Sequence, residues 1–232
     1  MNAALEQLCR EARALLLDFD GPVCSIFAGY PAPMVAQKLV QLLMARGAEF
    51  ARNLDGQSDP LEVLRRTAVE GDHGLTRTVE DRLIAAEVQA VRTAEPTPYG
   101  RETMVAARQL GLQIAVVSNN SAQAVERYLK SNRLSAHVAR TVGRAYANPS
   151  RMKPNPAPIL EAASSVGISP ALCILVGDSL ADIEGAKAAG VRVIGYANRP
   201  QKEELFRAAG ADALVTSMRA VAEAFMYWER PG

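Results

Sequence analysis

Three cysteines and two histidines are spread through 232 residues, and each scarcity closes off a class of function. Cys9, Cys24 and Cys173 are odd in number and far apart. They form neither a disulfide framework nor a zinc-ligand spacing, and they point to a reducing compartment. His73 and His137 lack the neighbours that a catalytic triad or a histidine metal site requires, so both read as surface or structural residues. An excess of one charge is missing too: 26 Lys and Arg face 25 Asp and Glu, a net charge of +1. No broad field attracts nucleic acid or an anionic membrane, so an anionic ligand must be held by a local site. No apolar run is long enough to span a bilayer. Residues 1–13 are amphipathic and carry acids, unlike a signal peptide. The expected location is cytoplasmic, with neither nucleic acid nor membrane as partner. Repeats and low-complexity segments are absent as well.

What is present is ordinary for a globular chain, 49% apolar and 22% charged, long enough for one large or two modest domains. One segment stands apart. Leu15-Leu16-Leu17 reads as a buried strand, and it runs into Asp18-Phe19-Asp20-Gly21. Two carboxylates at the end of a core strand repel each other unless a cation or a shared proton separates them. A plain turn is the alternative, because Asp and Gly both favour turns.

Beyond Asp20 the pattern changes. Residues 34–95 carry only helical signals. Val35, Leu39, Leu42 and Leu43 recur at helical spacing up to Gly47. Asp59 with Glu62 has capping-box spacing, with Pro60 at the first helical position and Gly71 as a stop. Val79, Leu83, Ala86, Ala90 and Val91 make a third stripe, ended by Pro96 and Pro98. Three or four helices are expected here. From Pro98 onward helix and strand alternate, with strands expected at residues 112–117, around 137–142, at 173–176, 191–194 and 213–215. That alternation predicts an α/β, doubly wound parallel sheet.

Polar residues collect where these strands stop. After Asp18 and Asp20 come Ser118, Asn119 and Asn120, then Lys153 in a proline-rich loop, then Gly177-Asp178-Ser179 with Asp182 one helical turn on. In a parallel sheet such strand ends share one edge, where ligands bind. Several carboxylates offering oxygen suit Mg2+. A lysine, a hydroxyl and helix-start N–H groups suit a phosphoryl group. An aspartate can act as a nucleophile, and a second carboxylic acid can move the proton.

Asp18-Phe19-Asp20-Gly21, Ser118-Asn119, Lys153-Pro154 and Gly177-Asp178-Ser179-Leu180-Ala181-Asp182 resemble the four ordered motifs of the haloacid dehalogenase-like hydrolase superfamily. The resemblance covers residues 1–23 and about 97–220. It implies a Rossmann-like core domain at residues 1–23 and 97–232, and an inserted helical cap domain of the C1 type at residues 24–96. It also implies Asp18 as nucleophile and Asp20 as general acid/base. Mg2+ would be held by Asp18, the main-chain carbonyl of Asp20 and Asp178, with Asp182 supporting the metal waters or Lys153. Ser118, Asn119 and Lys153 would bind the phosphoryl oxygens. Asp20 sides with phosphoryl transfer, because the dehalogenase branch lacks this second aspartate. The implied activity is Mg2+-dependent hydrolysis of a small phosphorylated metabolite through an aspartyl-phosphate, by a monomer or homodimer. A phosphomutase and a catalytically silent binding or regulatory protein are the rivals. Pro22-Val23-Cys24-Ser25 departs from the usual continuation of the first motif, and Cys24 reads as a small buried filler. Phe27, Tyr30, Arg46 and Arg52 are candidates to face substrate from the cap or its linkers.

Overall fold

The computed structural model describes residues 3–226, so Trp228, read from its spacing as packing beside Phe225, lies outside the described residues. In chain order the first elements are α1 (Ala3–Glu11), β1 (Ala14–Leu17), β2 (Cys24–Ser25), α2 (Ala32–Ala45), α3 (Pro60–Glu70), α4 (His73–Ala90) and β3 (Glu95–Pro96). There follow α5 (Gly100–Gln109), β4 (Gln113–Val117), α6 (Ala122–Ser131), β5 (Arg140–Val142), α7 (Ala157–Ser165), β6 (Cys173–Gly177) and α8 (Leu180–Ala188). The chain closes with β7 (Arg192–Tyr196), α9 (Gln201–Ala208), β8 (Ala213–Val215) and α10 (Met218–Met226).

Six strands make one parallel sheet in the order β5-β4-β1-β6-β7-β8. Every residue of β1 is buried, which explains an apolar run without alternation: both faces of the strand are covered. Leu15 and Leu17 face the layer built by α1, α5, α6 and α10, and Leu16 faces the layer built by α7, α8 and α9. The fold is therefore α/β and doubly wound. The chain leaves β1 toward β4 and leaves β6 toward β7, so the order reverses between β1 and β6. A crevice at such a reversal is where open α/β sheets place ligands. β5 is shorter than the 137–142 stretch expected: Ser135–His137 form a 3-10 turn, and the edge strand runs only as far as β4 offers partners, Ala115 to Val117. Among the described residues no helix is long and apolar enough to cross a membrane.

Residues between β2 and β3 form a separate helical module. Its helices α2, α3 and α4 pack around Val35, Leu39, Leu43, Leu64, Val79 and Leu83. Asp59 caps α3 by accepting from the Leu61 N–H at 2.8 Å, while Glu62 pairs with Arg65 at 3.6 Å. The chain enters and leaves the module through β2 and β3, paired antiparallel with Cys24 opposite Pro96. Pro22 fits here because its missing N–H is not needed. The turn is closed by the Gly21 N–H to the Cys24 carbonyl at 2.7 Å and by the Val23 and Cys24 N–H groups to the Phe19 carbonyl. Thr97 on the return crossing donates to the Val23 and Gly21 carbonyls.

Candidate active site

Strand register brings the motif residues together. Leu17 of β1 pairs with Val116 of β4 and Val176 of β6, so the three strands end almost level. Asp18, Ser118 and Asp178 each follow the last residue of their strand. Asp18, Asp20, Ser118, Asn119, Lys153 and Asp178 all line one cavity of about 430 Å³ at this edge. Asp182 lies behind it, fully buried.

Lys153 is the hub. Its side chain is only 2% exposed, and Nζ donates to Asp18 Oδ1 at 2.9 Å, Asp182 Oδ1 at 2.5 Å and the Val117 carbonyl at 2.9 Å. An ammonium has three donors, and all three are committed inside the protein. Its contribution to an arriving anion is therefore charge rather than a spare N–H. Burial alone would lower the Lys153 pKa; the attraction of Asp18 and Asp182 outweighs it and holds the ammonium above the ordinary lysine value. Burial, and then repulsion from Asp182, push the Asp18 carboxyl well up, although Lys153 pulls it down. One cation between two carboxylates leaves the cluster with an excess of negative charge when both are ionised. Asp182 is placed by its own helix: at the third position of α8 it completes a capping box, its Oδ2 accepting from the Ser179 N–H at 3.1 Å and hydroxyl at 2.6 Å. With one oxygen on Ser179 and the other on Lys153, Asp182 is built to hold the lysine.

Asp20 is half-buried, its Oδ1 accepting from the Ile26 N–H at 2.9 Å. Burial pushes its pKa up to about 6, against the pull of that N–H. Gly21 has φ +111°, and a Cβ there would lie 2.4 Å from Asp178 Cγ. Only glycine lets the Asp178 carboxylate come this close to the first motif. Asp178 Oδ2 accepts from Lys202 Nζ at 2.8 Å and Asn198 Nδ2 at 3.0 Å, and Lys202 also donates to the Asp178 carbonyl at 2.6 Å. Oxygens of Asp18, Asp178 and Asp182 lie within 4.8 Å of one another. Asp18 Oδ1 also takes the Phe19 N–H at 2.7 Å. Among the described residues no protein donor is recorded for Asp18 Oδ2 or Asp178 Oδ1. Two carboxylate oxygens in an all-oxygen set with surplus negative charge fit a hard divalent cation such as Mg2+.

The Ser118 hydroxyl accepts from the Asn120 N–H at 3.0 Å and donates to Asn120 Oδ1 at 3.1 Å. Asn119 spends its side chain on Lys153: Nδ2 donates to the Lys153 carbonyl at 3.1 Å, and Oδ1 accepts from the Lys153 N–H at 2.9 Å. Toward a phosphoryl group Asn119 can then offer its main chain only. Cys24 is fully buried, and burial pushes its thiol far up, which disfavours a thiolate.

From the helical module, Phe27 reaches the cavity, together with Pro60, Leu61 and Arg65. Tyr30 instead lines a different cleft and accepts from Lys38 Nζ at 2.8 Å. Arg46 and Arg52 are exposed and line no part of the cavity. Arg65 and Lys202 were not foreseen. Each is a helical lysine or arginine in an otherwise polar stretch, and neither carries a sequence signal that sets it apart from solvated charge.

Residues 53–196 match the family model for haloacid dehalogenase-like hydrolase. A phosphoglycolate phosphatase of Neisseria meningitidis serogroup A is 27% identical over 201 residues, covering 84% of this chain and 83% of that protein. The phosphoglycolate phosphatase of Salmonella paratyphi A is 33% identical over 98 residues, 42% of this chain, and the match spans only 38% of its length. In fold, the structure of a predicted phosphatase from Clostridium acetobutylicum superposes with a TM-score of 0.70 at 16% identity, over 94% of this chain and 99% of that one. The family match spans more than half of the chain and takes in the Ser118, Lys153 and Asp178 segments of the cavity, so this protein belongs to the haloacid dehalogenase-like hydrolases.

Proposed function

We propose that this protein is a phosphatase that hydrolyses a small phosphomonoester through an aspartyl-phosphate on Asp18. The observation that carries the reading is Asp18 itself. It is a carboxylate at the sheet's topological reversal, held on one oxygen by Lys153 and the Phe19 N–H, in a cavity it shares with a second carboxyl of raised pKa. Asp18 attacks phosphorus while the bond from phosphorus to the ester oxygen breaks, and Asp20 gives that oxygen its proton. Asp20, now a carboxylate, takes a proton from water as the water attacks phosphorus. The bond to Asp18 then breaks, inorganic phosphate leaves, and both carboxyls return to their starting states. Ser118 and the main chain of Asn119 would bind the phosphoryl oxygens, and the charge of Lys153 would offset repulsion between nucleophile and phosphate. Mg2+ held by Asp18, Asp178 and the Asp20 carbonyl would supply Lewis-acid charge to the phosphoryl group.

Residues 24–96 act in this reading as a cap, with residues 1–23 and 97–232 as the core domain. Phe27, Pro60 and Arg65 would close over the leaving alcohol and exclude water. The Arg65 guanidinium favours an alcohol that bears its own anionic group. The names of the similar curated proteins agree with a small phosphorylated acid as substrate.

The test is phosphate release, with Mg2+, from an aryl phosphate and from a panel of small phosphomonoesters with and without a carboxylate. The expected result is stoichiometric free phosphate, lost by several orders of magnitude in a folded Asp18→Asn variant. Full activity in that variant would sink the nucleophile assignment. Phosphate retained on a sugar would point to a phosphomutase instead.

A further inference from the structure

Glu80 and Glu87 of α4 and Arg144, just after β5, form a fully buried ionic cluster that the chemistry above does not use. Arg144 Nε donates to Glu80 Oε1 at 2.9 Å, and Nη1 donates to Glu87 Oε1 at 2.8 Å and to the Asn119 carbonyl at 2.6 Å. Glu87 reaches further. It accepts from the Ser121 N–H at 2.9 Å and from Asn120 Nδ2 at 3.3 Å. The Arg144 N–H returns to the Asn120 carbonyl at 2.9 Å. Every residue from Asn119 to Ser121 is thus bonded to this cluster, and the Asn119 side chain in turn holds the Lys153 main chain. A second bridge, the Tyr146 hydroxyl to Asp81 Oδ1 at 2.8 Å, ties α4 to the same loop.

Desolvating two carboxylates and a guanidinium is costly, and an apolar contact of the same volume is often as stable. What an apolar contact cannot do is dictate where the Asn119 carbonyl, the Ser121 N–H and the Asn120 side-chain amide point. We propose that Glu87 and Arg144 are positioning residues, while Glu80 only balances the guanidinium charge. The pair locks the 118–121 loop, and through Asn119 the Lys153 segment, to α4, so that phosphate affinity depends on how the helical module is docked. The ligand in this statement rests on the phosphatase reading; the lock itself does not. As a consequence α4 is the fixed part of the module, and any opening over the cavity falls to α2 and α3.

Glu87→Gln and Glu80→Gln separate positioning from mere glue. Four donor groups converge on Glu87, and an amide would turn its own N–H2 toward some of them. Glu80 touches Arg144 and nothing in the loop. With the aryl phosphate as substrate and inorganic phosphate as competitive inhibitor, Glu87→Gln is expected to raise KM and the phosphate Ki about tenfold. That factor corresponds to about 1.4 kcal/mol, near one charge-assisted hydrogen bond. kcat should fall by less. Glu80→Gln should leave both constants within about twofold, even where its thermal midpoint drops as far. Unchanged constants in Glu87→Gln, or losses in both variants that simply track thermal midpoint, would overturn the proposal.

Amide hydrogen exchange on the unaltered protein decides the matter if the variants do not fold. The Ser121 and Arg144 amides and those of α4 near Glu80 to Glu87 should exchange as slowly as the central strands. Rates as fast as those of α3 would also overturn it. An unaltered protein that neither binds phosphate nor releases it would fail the phosphatase reading while leaving the exchange comparison to judge the lock.

Discussion

Replacing Lys153 with methionine keeps most of the side-chain volume and removes the one cation between Asp18 and Asp182. Three buried hydrogen bonds go with it, to Asp18, Asp182 and the Val117 carbonyl. Breaking a buried pair by removing one partner costs about 3–5 kcal/mol, a large share of the roughly 5–15 kcal/mol that holds a domain together. At roughly 2–4 °C per kcal/mol for a chain of this size, the midpoint of thermal unfolding should fall by roughly 6–20 °C at neutral pH. The sign of the pH dependence follows from the pKa directions. Lys153 is raised in the folded state, so its stabilisation is fully present below the unfolded lysine value and is lost only in strong alkali. Asp18 is already raised in wild type and is raised further still in Lys153→Met, so the variant's extra cost is absent at acid pH and appears as pH rises past the wild-type folded value of Asp18. The deficit against wild type should therefore be smaller at pH 4.5 than at pH 7.5. Mg2+ should stabilise either protein, by about 2.7 kcal/mol at a hundred times its dissociation constant. Urea unfolding at both pH values, with Mg2+ and with chelator, measures all of this. A deficit below about 1 kcal/mol, or one that is the same at both pH values, would refute the reasoning.

Asp20, with its pKa pushed up to about 6, is acid-competent below that value and loses its proton above it. The rate of aspartyl-phosphate formation from alkyl phosphates should fall as pH rises through about 6, and far less from aryl phosphates, whose leaving group needs no proton. Asp20→Asn should still release one aryl alcohol per enzyme in a burst from an aryl phosphate, with the phosphoryl group kept on Asp18 and no turnover; rapid-mixing kinetics reads both, and steady turnover would remove Asp20 from its role. Gly21→Ala would put a Cβ 2.4 Å from Asp178 Cγ at φ +111°, so it should displace that carboxylate and cost about 1–3 kcal/mol in backbone strain. An activation titration should show Mg2+ affinity down at least about tenfold, and an unchanged titration would mean that Asp178 holds no metal.

The residues that were legible in sequence are those that directly follow a buried apolar run. Asp18 after Leu15-Leu16-Leu17, Ser118 after Ala115-Val116-Val117 and Asp178 after Leu175-Val176-Gly177 stand where a polar group has no folding reason to be. Asp182 stands one helical turn beyond Asp178, and the carboxylate that caps α8 there is the one that also holds Lys153. Asn119 was assigned to phosphate, yet its amide is spent on the Lys153 main chain, a contact 34 residues distant that no local pattern announces. Glu80 and Glu87 did leave a trace. They share a face of α4 with Thr76, Leu83 and Ala90, all buried, and an acid on such a stripe needs a cation. That the cation is Arg144, 57 residues beyond Glu87, could not be read from spacing.

By itself the sequence determined the doubly wound sheet, since runs of apolar residues alternating with helical stripes admit few other layerings. It determined too which polar residues stand at strand ends, because each sits next to its own strand in the chain. Only the tertiary structure decided the partnerships among them: Lys153 between Asp18 and Asp182, Lys202 on Asp178, Arg65 over the cavity and Arg144 between two glutamates. Burial forces every such charge to find a partner, but which partner depends on how elements far apart in sequence pack, and that is a property of the assembled core rather than of any one segment.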